Sequence, residues 1–247
     1  APSGRFNYSE LTKYKYAIRK GVSKVNENIT RGIVYGVMKD IFENVFMEVD
    51  LSKKVCIVGT GGFARETLCC LLDIFRDKNA SFEDKVFFLD HDGKGVKGEL
   101  LGFPVLQISE FIPADFQTVV AIGNPKTRKF VVSDLPTDTN YTTLIHPSVV
   151  VSEWVKIGEG SIVTAGCALT CQIKVGKHSH LNLNTTVGHD VELGDFFTSA
   201  TNVSISGICE IGSCVYFGSN SAIKQGLHVC DDVIIGMGAM VAVGGVF

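Results

Sequence analysis

The chain has 247 residues, of which 45% are hydrophobic, with a formal net charge of −3 and a sequence pI near 6.1. This composition allows two modest domains with buried cores, and it provides no basic surface of the kind that nucleic-acid binders use to neutralise phosphates. No apolar stretch is long enough, or free enough of glycine, to cross roughly 30 Å of hydrocarbon as a helix, so we expect neither a nucleic-acid nor a membrane partner.

The eight cysteines have no Cys-x-x-Cys spacing. We therefore predict no metal site, and we expect buried, reduced thiols in a cytoplasmic protein. The first residues, Ala1-Pro2-Ser3-Gly4, contain neither an initiator Met nor a signal-peptide pattern, so we expect the chain to begin inside a longer polypeptide.

Residues 1–52 carry apolar side chains every three or four positions, which predicts an amphipathic helical extension. The apolar positions are Ile18, Val22, Val25, Ile29, Ile33, Val37, Ile41 and Val45. The spacing is compatible with packing on the next domain, with a neighbouring module and with an oligomer contact, and it does not choose among them.

Residues 53–144 alternate strand and helix signals, which predicts a small Rossmann-like βαβ domain. The predicted elements are strands over 55–58, 86–89 and 119–122 and a helix over 63–75. Because the carboxyl ends of parallel strands meet at one edge of a sheet, we expect Gly61, Asp90 and Gly123 to lie close together there.

A glycine-rich turn follows the first predicted strand and precedes the helix. It reads Gly59-Thr60-Gly61-Gly62-Phe63-Ala64, a Gly-x-Gly-x-x-Ala pattern whose backbone and helix N-terminus can accept a phosphate, with Asp90 placed to bond a ribose. A domain of about ninety residues is roughly half of a dinucleotide fold. We therefore favour a nucleotide site, with a nicotinamide-dependent oxidoreductase and a purely structural turn as alternatives.

From Ile145 onward every sixth residue is apolar. Seventeen of eighteen such positions up to Phe247 are aliphatic or aromatic, and Ser199 is the exception. This register fits neither the 3.6-residue period of a helix nor a series of hairpins, and it predicts a parallel β-helix over residues 145–247. A glycine follows the apolar residue at four successive intervals of eighteen residues, at Gly158, Gly176, Gly194 and Gly212, so we expect an eighteen-residue coil with three short strands.

His189 falls two residues after the inward Val187, which places it at a corner of the coil and beside Asp190. A corner histidine with an adjacent acid can act as a general base. Gly207 lies eighteen residues later, so its N–H is expected above His189 as an oxyanion donor. The alternative is an ordinary surface histidine. We interpret the other prism histidines as structural or exposed, and Ser199 as either a ligand contact or a buried hydroxyl.

Several segments together carry a resemblance to a known family. They are Val55 to Ala64, Phe88-Leu89-Asp90, Ala121-Ile122-Gly123-Asn124 with Arg128, Leu144-Ile145-His146-Pro147-Ser148, Asn182 and His189-Asp190. Residues 53–247 resemble the left-handed β-helix sugar O-acyltransferases and sugar-nucleotide N-acetyltransferases, of the type that acetylates a UDP-linked 4-amino-4,6-dideoxy sugar in bacillosamine synthesis. Perosamine and viosamine N-acetyltransferases are similar.

The resemblance implies a role for each matched position. His189 matches the catalytic base, Asp190 its acidic partner, and Gly207 is the expected oxyanion donor. The implied nucleotide-sugar contacts are Gly61, Gly62, Phe63, Asp90, His91, Gly123, Asn124 and Asn182. The implied acetyl-CoA contacts are Thr198, Ser219 and Met237. The family often has histidine where this chain has Phe63 and Thr198.

The resemblance further implies a homotrimer in which acetyl-CoA, the co-substrate, lies between neighbouring prisms, with no metal. It also implies left-handed winding, and relatives continue for about a dozen residues past the match to Phe247, so the far end of the acetyl-CoA groove is expected to be incomplete. The predicted function is transfer of an acetyl group to the amine of a nucleotide-linked amino sugar. The alternatives are O-acetylation of a sialic-acid type sugar and a trimeric scaffold that binds nucleotide sugar without catalysis.

Overall fold

A computed structural model describes residues 49–93 and 95–243. Its first part, which we call the α/β part, contains a five-stranded sheet and two helices. The elements are β1 (Lys54–Val58), α1 (Gly62–Asp77), β2 (Val86–Asp90), β3 (Gly98–Leu100), β4 (Phe103–Gln107), β5 (Phe116–Val120) and α2 (Pro125–Asp134). Two single-turn 3₁₀ helices, Ile108–Glu110 and Pro113–Asp115, connect β4 to β5.

The sheet has the strand order β3-β4-β2-β1-β5, in which only the β3–β4 pair is antiparallel. The β3–β4 hairpin is absent from the sequence-based prediction, and β5 covers 116–120 rather than 119–122. The start of β5 contains polar residues, so the sequence pattern does not indicate a buried strand there. Gln117 is buried because its side-chain amide bonds the backbone of Asp50 through both its oxygen and its nitrogen, at 2.9 and 2.8 Å.

Helix α1 joins the α/β part to the rest of the molecule. Its buried residues recur at helical spacing and pack in one apolar cluster with the sheet. The same cluster contains Leu144 and Ile162, which belong to strands beyond the α/β part. These two residues therefore pack in the apolar cluster of the α/β part.

The remaining strands form three parallel sheets around a triangular prism, which we number face 1, face 2 and face 3 in chain order. Face 1 contains β6 (Leu144–Ile145), β9 (Ile162–Val163), β12 (His180–Leu181), β15 (Thr198–Ser199), β18 (Tyr216–Phe217) and β21 (Ile234–Ile235). Face 2 contains β7 (Val150–Val151), β10 (Ala168–Leu169), β13 (Thr186–Val187), β16 (Ser204–Ile205), β19 (Ala222–Ile223) and β22 (Met240–Val241). Face 3 contains β8 (Val155–Ile157), β11 (Ile173–Val175), β14 (Glu192–Leu193), β17 (Glu210–Ile211) and β20 (His228–Val229).

Each prism strand pairs in parallel with the strand eighteen residues later, as in His180↔Thr198 and Val187↔Ile205. The residues predicted to point inward fill the prism core from Val163 to Ile235, and Ile145, Val151 and Val241 pack against that core. The predicted six-residue ladder is confirmed over these positions. Its last position, Phe247, lies outside the described residues.

Glycines stack where face 3 turns into face 1, because successive coils approach closely there. A Cβ built on Gly176 would lie 2.5 Å from the nitrogen of Asp195 and 2.6 Å from the carbonyl oxygen of Gly194. We expect Gly176→Ala to lower the free energy of unfolding by about 1–3 kcal/mol, since backbone must shift to admit the methyl group. Urea denaturation measures this loss.

Gly236→Ala is the matched control, because no atom lies within 4 Å of a Cβ built on Gly236. Equal stability of the Gly176→Ala and wild-type proteins would contradict the close approach of the coils.

Residues 49–53, the described end of the predicted helical extension, form a turn, and the rest of that extension lies outside the described residues. Over residues 49–93 and 95–243, no helix combines the length and apolarity needed to span a bilayer.

Candidate active site

The carboxyl edge of the α/β sheet forms the first part of the site. Gly59 takes a φ of +116°, and a Cβ there would meet the carbonyl oxygen of Ala121 at 3.2 Å, so this glycine is required by the turn itself. Gly61 is the N-cap of α1 and provides no side-chain cap, and the first turn contains no acidic residue. A Cβ on Gly61 would meet nothing within 4 Å. The exposed N-terminus of α1 therefore faces open space.

Asp90 and His91 follow β2 at the same edge. Asp90 is only 4% exposed, and its Oδ2 accepts a hydrogen bond from the N–H of Gly95 at 2.9 Å. His91 Nε2 lies 2.9 Å from Asp134 Oδ2 at the end of α2. Both predicted substrate contacts thus already have partners within the chain, and ribose binding by Asp90 stays a prediction.

Gly123 and Asn124 connect β5 to α2. Asn124 is the N-cap of α2, and its Oδ1 accepts from the N–H of Thr127 at 3.0 Å, while Pro125 occupies the first helical turn. No atom lies within 4 Å of a Cβ built on Gly123. As predicted, the β1, β2 and β5 termini converge, since β1 pairs with both other strands.

Arg128 of α2 is fully buried between this edge and face 1 of the prism. Its guanidinium donates to seven acceptors at 2.6–3.3 Å: the carbonyls of Ile122, Gly123, His178, Phe196 and Phe197, Thr198 Oγ1 and His180 Nδ1. Burial lowers the pKa of Arg128 to about 9, which leaves it charged near neutral pH. In the sequence, Arg128 is indicated only by the resemblance to the family. Its sole local signal is that it shares a helix face with Val131 and Leu135, which are also buried.

His180 and His178 lie beside Arg128 and are buried, in agreement with their predicted structural roles. His180 Nε2 lies 3.0 Å from the carbonyl oxygen of Val120, which accepts only, so Nε2 carries the hydrogen and Nδ1 accepts from Arg128. The ring of Phe63 packs on His180, with centroids 4.6 Å apart. Burial, followed by the charge of Arg128, lowers the pKa of His180 well below its usual value.

We expect the protein to lose stability as the pH falls below about 6.5. Burial lowers the pKa of His178 from 6.5 to about 4, so between these values the unfolded chain binds more protons than the folded one. The loss from His178 is about 2 kcal/mol between pH 7.5 and pH 5, and the buried His180 acts in the same direction. Urea denaturation at the two pH values measures it. His178→Leu should remove the share that His178 contributes to the dependence, and a wild-type stability that does not change with pH would contradict the burial of neutral imidazoles.

His189 and Asp190 lie at the corner between faces 2 and 3, which we call the 2/3 corner. His189 Nδ1 is 2.7 Å from Asp190 Oδ2, and both side chains are about half exposed, at 50% and 47%. Because a carboxylate only accepts, the Nδ1 of the neutral ring carries the hydrogen and Nε2 presents a lone pair. This orientation is the one that a general base requires.

Gly207 lies directly against the His189 ring, as the eighteen-residue register predicts. A Cβ built on Gly207 would be 2.8 Å from both Cε1 and Nε2 of His189. The next N–H, of Ile208, donates to the carbonyl of His189 at 2.8 Å, whereas the N–H of Gly207 has no acceptor among the described residues. The residue that lies against the free imidazole nitrogen thus has a backbone N–H without an acceptor among the described residues.

Asn182 lies at the corner between faces 1 and 2, and its Nδ2 donates to the carbonyl of Ser199 at 2.6 Å. Ser199 is fully buried, and its Oγ is 2.8 Å from Thr185 Oγ1. Of the two interpretations of this break in the apolar ladder, the structure therefore supports the buried hydroxyl.

The three predicted acetyl-CoA contacts do not share one environment. Ser219 and Met237 lie at the corner between faces 1 and 2, and Met237 is 78% exposed. Thr198 is 1% exposed, and its hydroxyl accepts from Arg128 and donates to the carbonyl of Gly123. Because the α/β part covers Thr198, its hydroxyl does not line an open groove, and this corrects its predicted position.

In the described part of the chain, no group of three or more His, Cys, Asp and Glu side chains is arranged to hold a metal ion.

Residues 54–135 match the family model of the PglD N-terminal domain. The GDP-perosamine N-acetyltransferase of Escherichia coli O157:H7 is 32% identical to this chain over 175 residues, which cover 69% of this chain and 78% of the relative.

Two solved structures have similar folds. The acetyltransferase domain of PglB from Neisseria gonorrhoeae FA1090 matches with a TM-score of 0.71 and 25% identity, covering 79% of this chain and 93% of that one. PerB from Caulobacter crescentus, solved in complex with CoA and GDP-perosamine, matches with a TM-score of 0.67 and 26% identity, covering 78% and 90%. These similarities confirm the predicted fold class, an α/β domain followed by a left-handed β-helix. The chain belongs to the left-handed β-helix sugar-nucleotide N-acetyltransferases.

Proposed function

We propose that this protein transfers the acetyl group of acetyl-CoA to the amine of a nucleotide-linked 4-amino-4,6-dideoxy sugar, with His189 as general base. One observation carries the mechanism: the bond from His189 Nδ1 to Asp190 leaves Nε2 free against Gly207, whose N–H has no acceptor among the described residues. The similarity to a GDP-perosamine N-acetyltransferase supports the substrate class.

The reaction needs one base and one oxyanion donor. The sugar nitrogen attacks the thioester carbonyl carbon while His189 Nε2 removes a proton from that nitrogen. The new C–N bond leaves a negative oxygen, which the N–H of Gly207 stabilises. The C–S bond then breaks, and the departing CoA sulfur takes the proton from the imidazolium of His189.

The nucleotide part of the substrate is assigned to the carboxyl edge of the α/β sheet. Open space at Gly61 and Gly123 admits a ligand close to the backbone, a Cβ on Gly62 would meet only the Arg65 guanidinium at 4.0 Å, and the N-terminus of α1 favours a phosphate. For acetyl-CoA, Ser219 and Met237 remain in the proposal, whereas Thr198 does not.

The proposed catalytic corner and the proposed nucleotide site lie on opposite sides of one prism. The α/β part packs on face 1 through His180 and Thr198. His189 lies where faces 2 and 3 meet, which is the corner opposite face 1 in a triangular prism. A substrate held by one chain is therefore acetylated by His189 of a neighbouring copy, in the predicted homotrimer. The boundaries 53–144 for the nucleotide-sugar domain and 145–247 for the acyltransferase domain are part of this proposal.

Mixed assemblies test the shared site. His189→Ala removes the base, and Gly61→Leu blocks the nucleotide edge, where a side chain has room without disturbing the fold. After co-refolding equal amounts of the two inactive variants, about one quarter of the sites should combine an intact edge with an intact His189. Recovery of activity supports the shared site. No recovery, with both variants assembled, contradicts it.

A panel of acceptors tests the function itself. We expect acetyl-CoA and a UDP-, GDP- or dTDP-linked 4-amino-4,6-dideoxy sugar to give free CoA thiol and a singly acetylated sugar by mass spectrometry. Transfer to sialic acid alone would favour the O-acetyltransferase alternative. Binding of nucleotide sugar without any transfer would favour the scaffold.

A further inference from the structure

Arg128 holds several segments together through hydrogen bonds to neutral groups rather than through an ion pair, and we call it the anchor. It is fully buried, and all of its acceptors are carbonyl oxygens, one hydroxyl and one imidazole nitrogen, with no carboxylate among the described residues. A buried charge without a counter-ion is costly, so its presence requires that the surrounding dipoles be held in place to solvate it. Arginine suits this arrangement because its planar fork offers five fixed donors, whereas lysine offers three from one atom.

The anchor controls the direction of two peptide groups at the nucleotide edge. The carbonyls of Ile122 and Gly123 both point inward, to Arg128 Nη1 at 2.6 and 3.3 Å. In a trans peptide the N–H points away from the carbonyl. The N–H groups of Gly123 and Asn124, which belong to these same peptides, therefore point away from the buried guanidinium.

Both N–H groups lack an internal acceptor. Neither Gly123 nor Asn124 donates its backbone hydrogen to any group in residues 49–93 or 95–243. A Cβ built on Gly123 would enter open space, and the turn at Gly59 lies next to Ala121 just before this segment. Paired backbone donors beside the exposed N-terminus of α1 suit an oxygen of a nucleoside diphosphate, either on a phosphate or on the base.

We propose that Arg128 is a positioning residue that aims the backbone N–H groups of Gly123 and Asn124 at the nucleoside diphosphate part of the substrate. This inference rests on the proposed function. Arg128 thus controls the affinity for the nucleotide although it has no access to the substrate. It takes no part in the acetyl-transfer step.

Calorimetric titration with UDP, GDP and CoA tests the proposal on Arg128→Lys and Arg128→Met. We expect the better nucleotide of the wild-type protein to bind at least about tenfold weaker to Arg128→Met, which corresponds to two lost hydrogen bonds. CoA should bind both variants within about twofold of wild type, since its proposed contacts, Ser219 and Met237, lie at the corner between faces 1 and 2 and not at the nucleotide edge. Arg76→Lys is the control, because Arg76 is exposed and pairs only with Asp73 on α1.

Equal nucleotide affinity in wild type and Arg128→Met would overturn the proposal. An equal loss of nucleotide and CoA affinity would also overturn it, because that result indicates a general structural role. Failure of the wild-type protein to bind either nucleotide would also overturn the proposal. Whether acetyl transfer occurs is decided separately, by the panel of acceptors.

A measurement on the wild-type protein covers the case in which the variants do not fold. Hydrogen exchange of the Gly123 and Asn124 amides is followed by NMR with and without nucleotide. Slower exchange of both amides on adding UDP or GDP supports the proposal. Unchanged exchange at saturating nucleotide overturns it.

Discussion

His189→Ala is expected to lower kcat by about 10²–10⁴-fold with little change in the KM for acetyl-CoA. The variant removes the free Nε2 that lies beside Gly207 and leaves the coil intact, because the side chain is half exposed and bonds only Asp190. Steady-state release of CoA thiol, with saturating acetyl-CoA and the amino-sugar nucleotide, measures the loss.

His228→Ala is the matched control for this experiment. His228 is also an exposed prism histidine facing an acid, at 3.5 Å from Glu210, but it lies on face 3 rather than at the 2/3 corner. Its replacement should leave kcat unchanged. Full turnover by His189→Ala would refute the general-base mechanism and return His189 to an ordinary surface residue.

Gly207→Ala is expected to lower kcat by about 100-fold while the protein stays folded. The new methyl group would lie 2.8 Å from Nε2 of His189, so the half-exposed ring must turn away from its position. Displacement of a catalytic group by about 1 Å is enough for a loss of this size. Gly207 is not among the residues with positive φ, so its backbone conformation is open to alanine, and the nearest backbone atom to the new methyl group is the carbonyl oxygen of His189 at 3.0 Å.

A double variant separates this steric effect from a loss of folding. Once His189 is alanine, no ring remains for the Gly207 methyl group to displace. We therefore expect Gly207→Ala to reduce the residual rate of His189→Ala much less than it reduces the wild-type rate. Fully additive losses, or a melting temperature far below wild type, would contradict displacement of the base as the cause.

The stacking of His189 against Gly207 could be predicted from the sequence because a β-helix converts sequence separation into spatial position. Residues eighteen apart lie in neighbouring coils whatever the rest of the chain does, as the ladder pairs of the prism show. The edge formed by Gly61, Asp90 and Gly123 could be predicted for a similar reason, since parallel strands carry their carboxyl ends to the same side.

The sequence does not predict whether a polar side chain is buried where contacts between distant segments decide its burial. Thr198 occupies a regular outward position in the repeat, and nothing in the local pattern distinguishes it from Ser204 or Thr186. The α/β part covers it because Arg128, seventy residues earlier, reaches its hydroxyl. The sequence pattern does not predict the polar start of β5 for the same reason, since the buried Gln117 bonds the distant Asp50.

The prism, its core residues and the pairing of His189 with Gly207 therefore follow from the sequence pattern, because the six-residue period is a local property that sets each side chain inward or outward. Which prism face the α/β part covers depends on long-range packing, and so does the burial of Arg128, His180 and Thr198. Burial of a polar group depends on partners that complete its hydrogen bonds, and those partners lie 52 and 70 residues away in the chain.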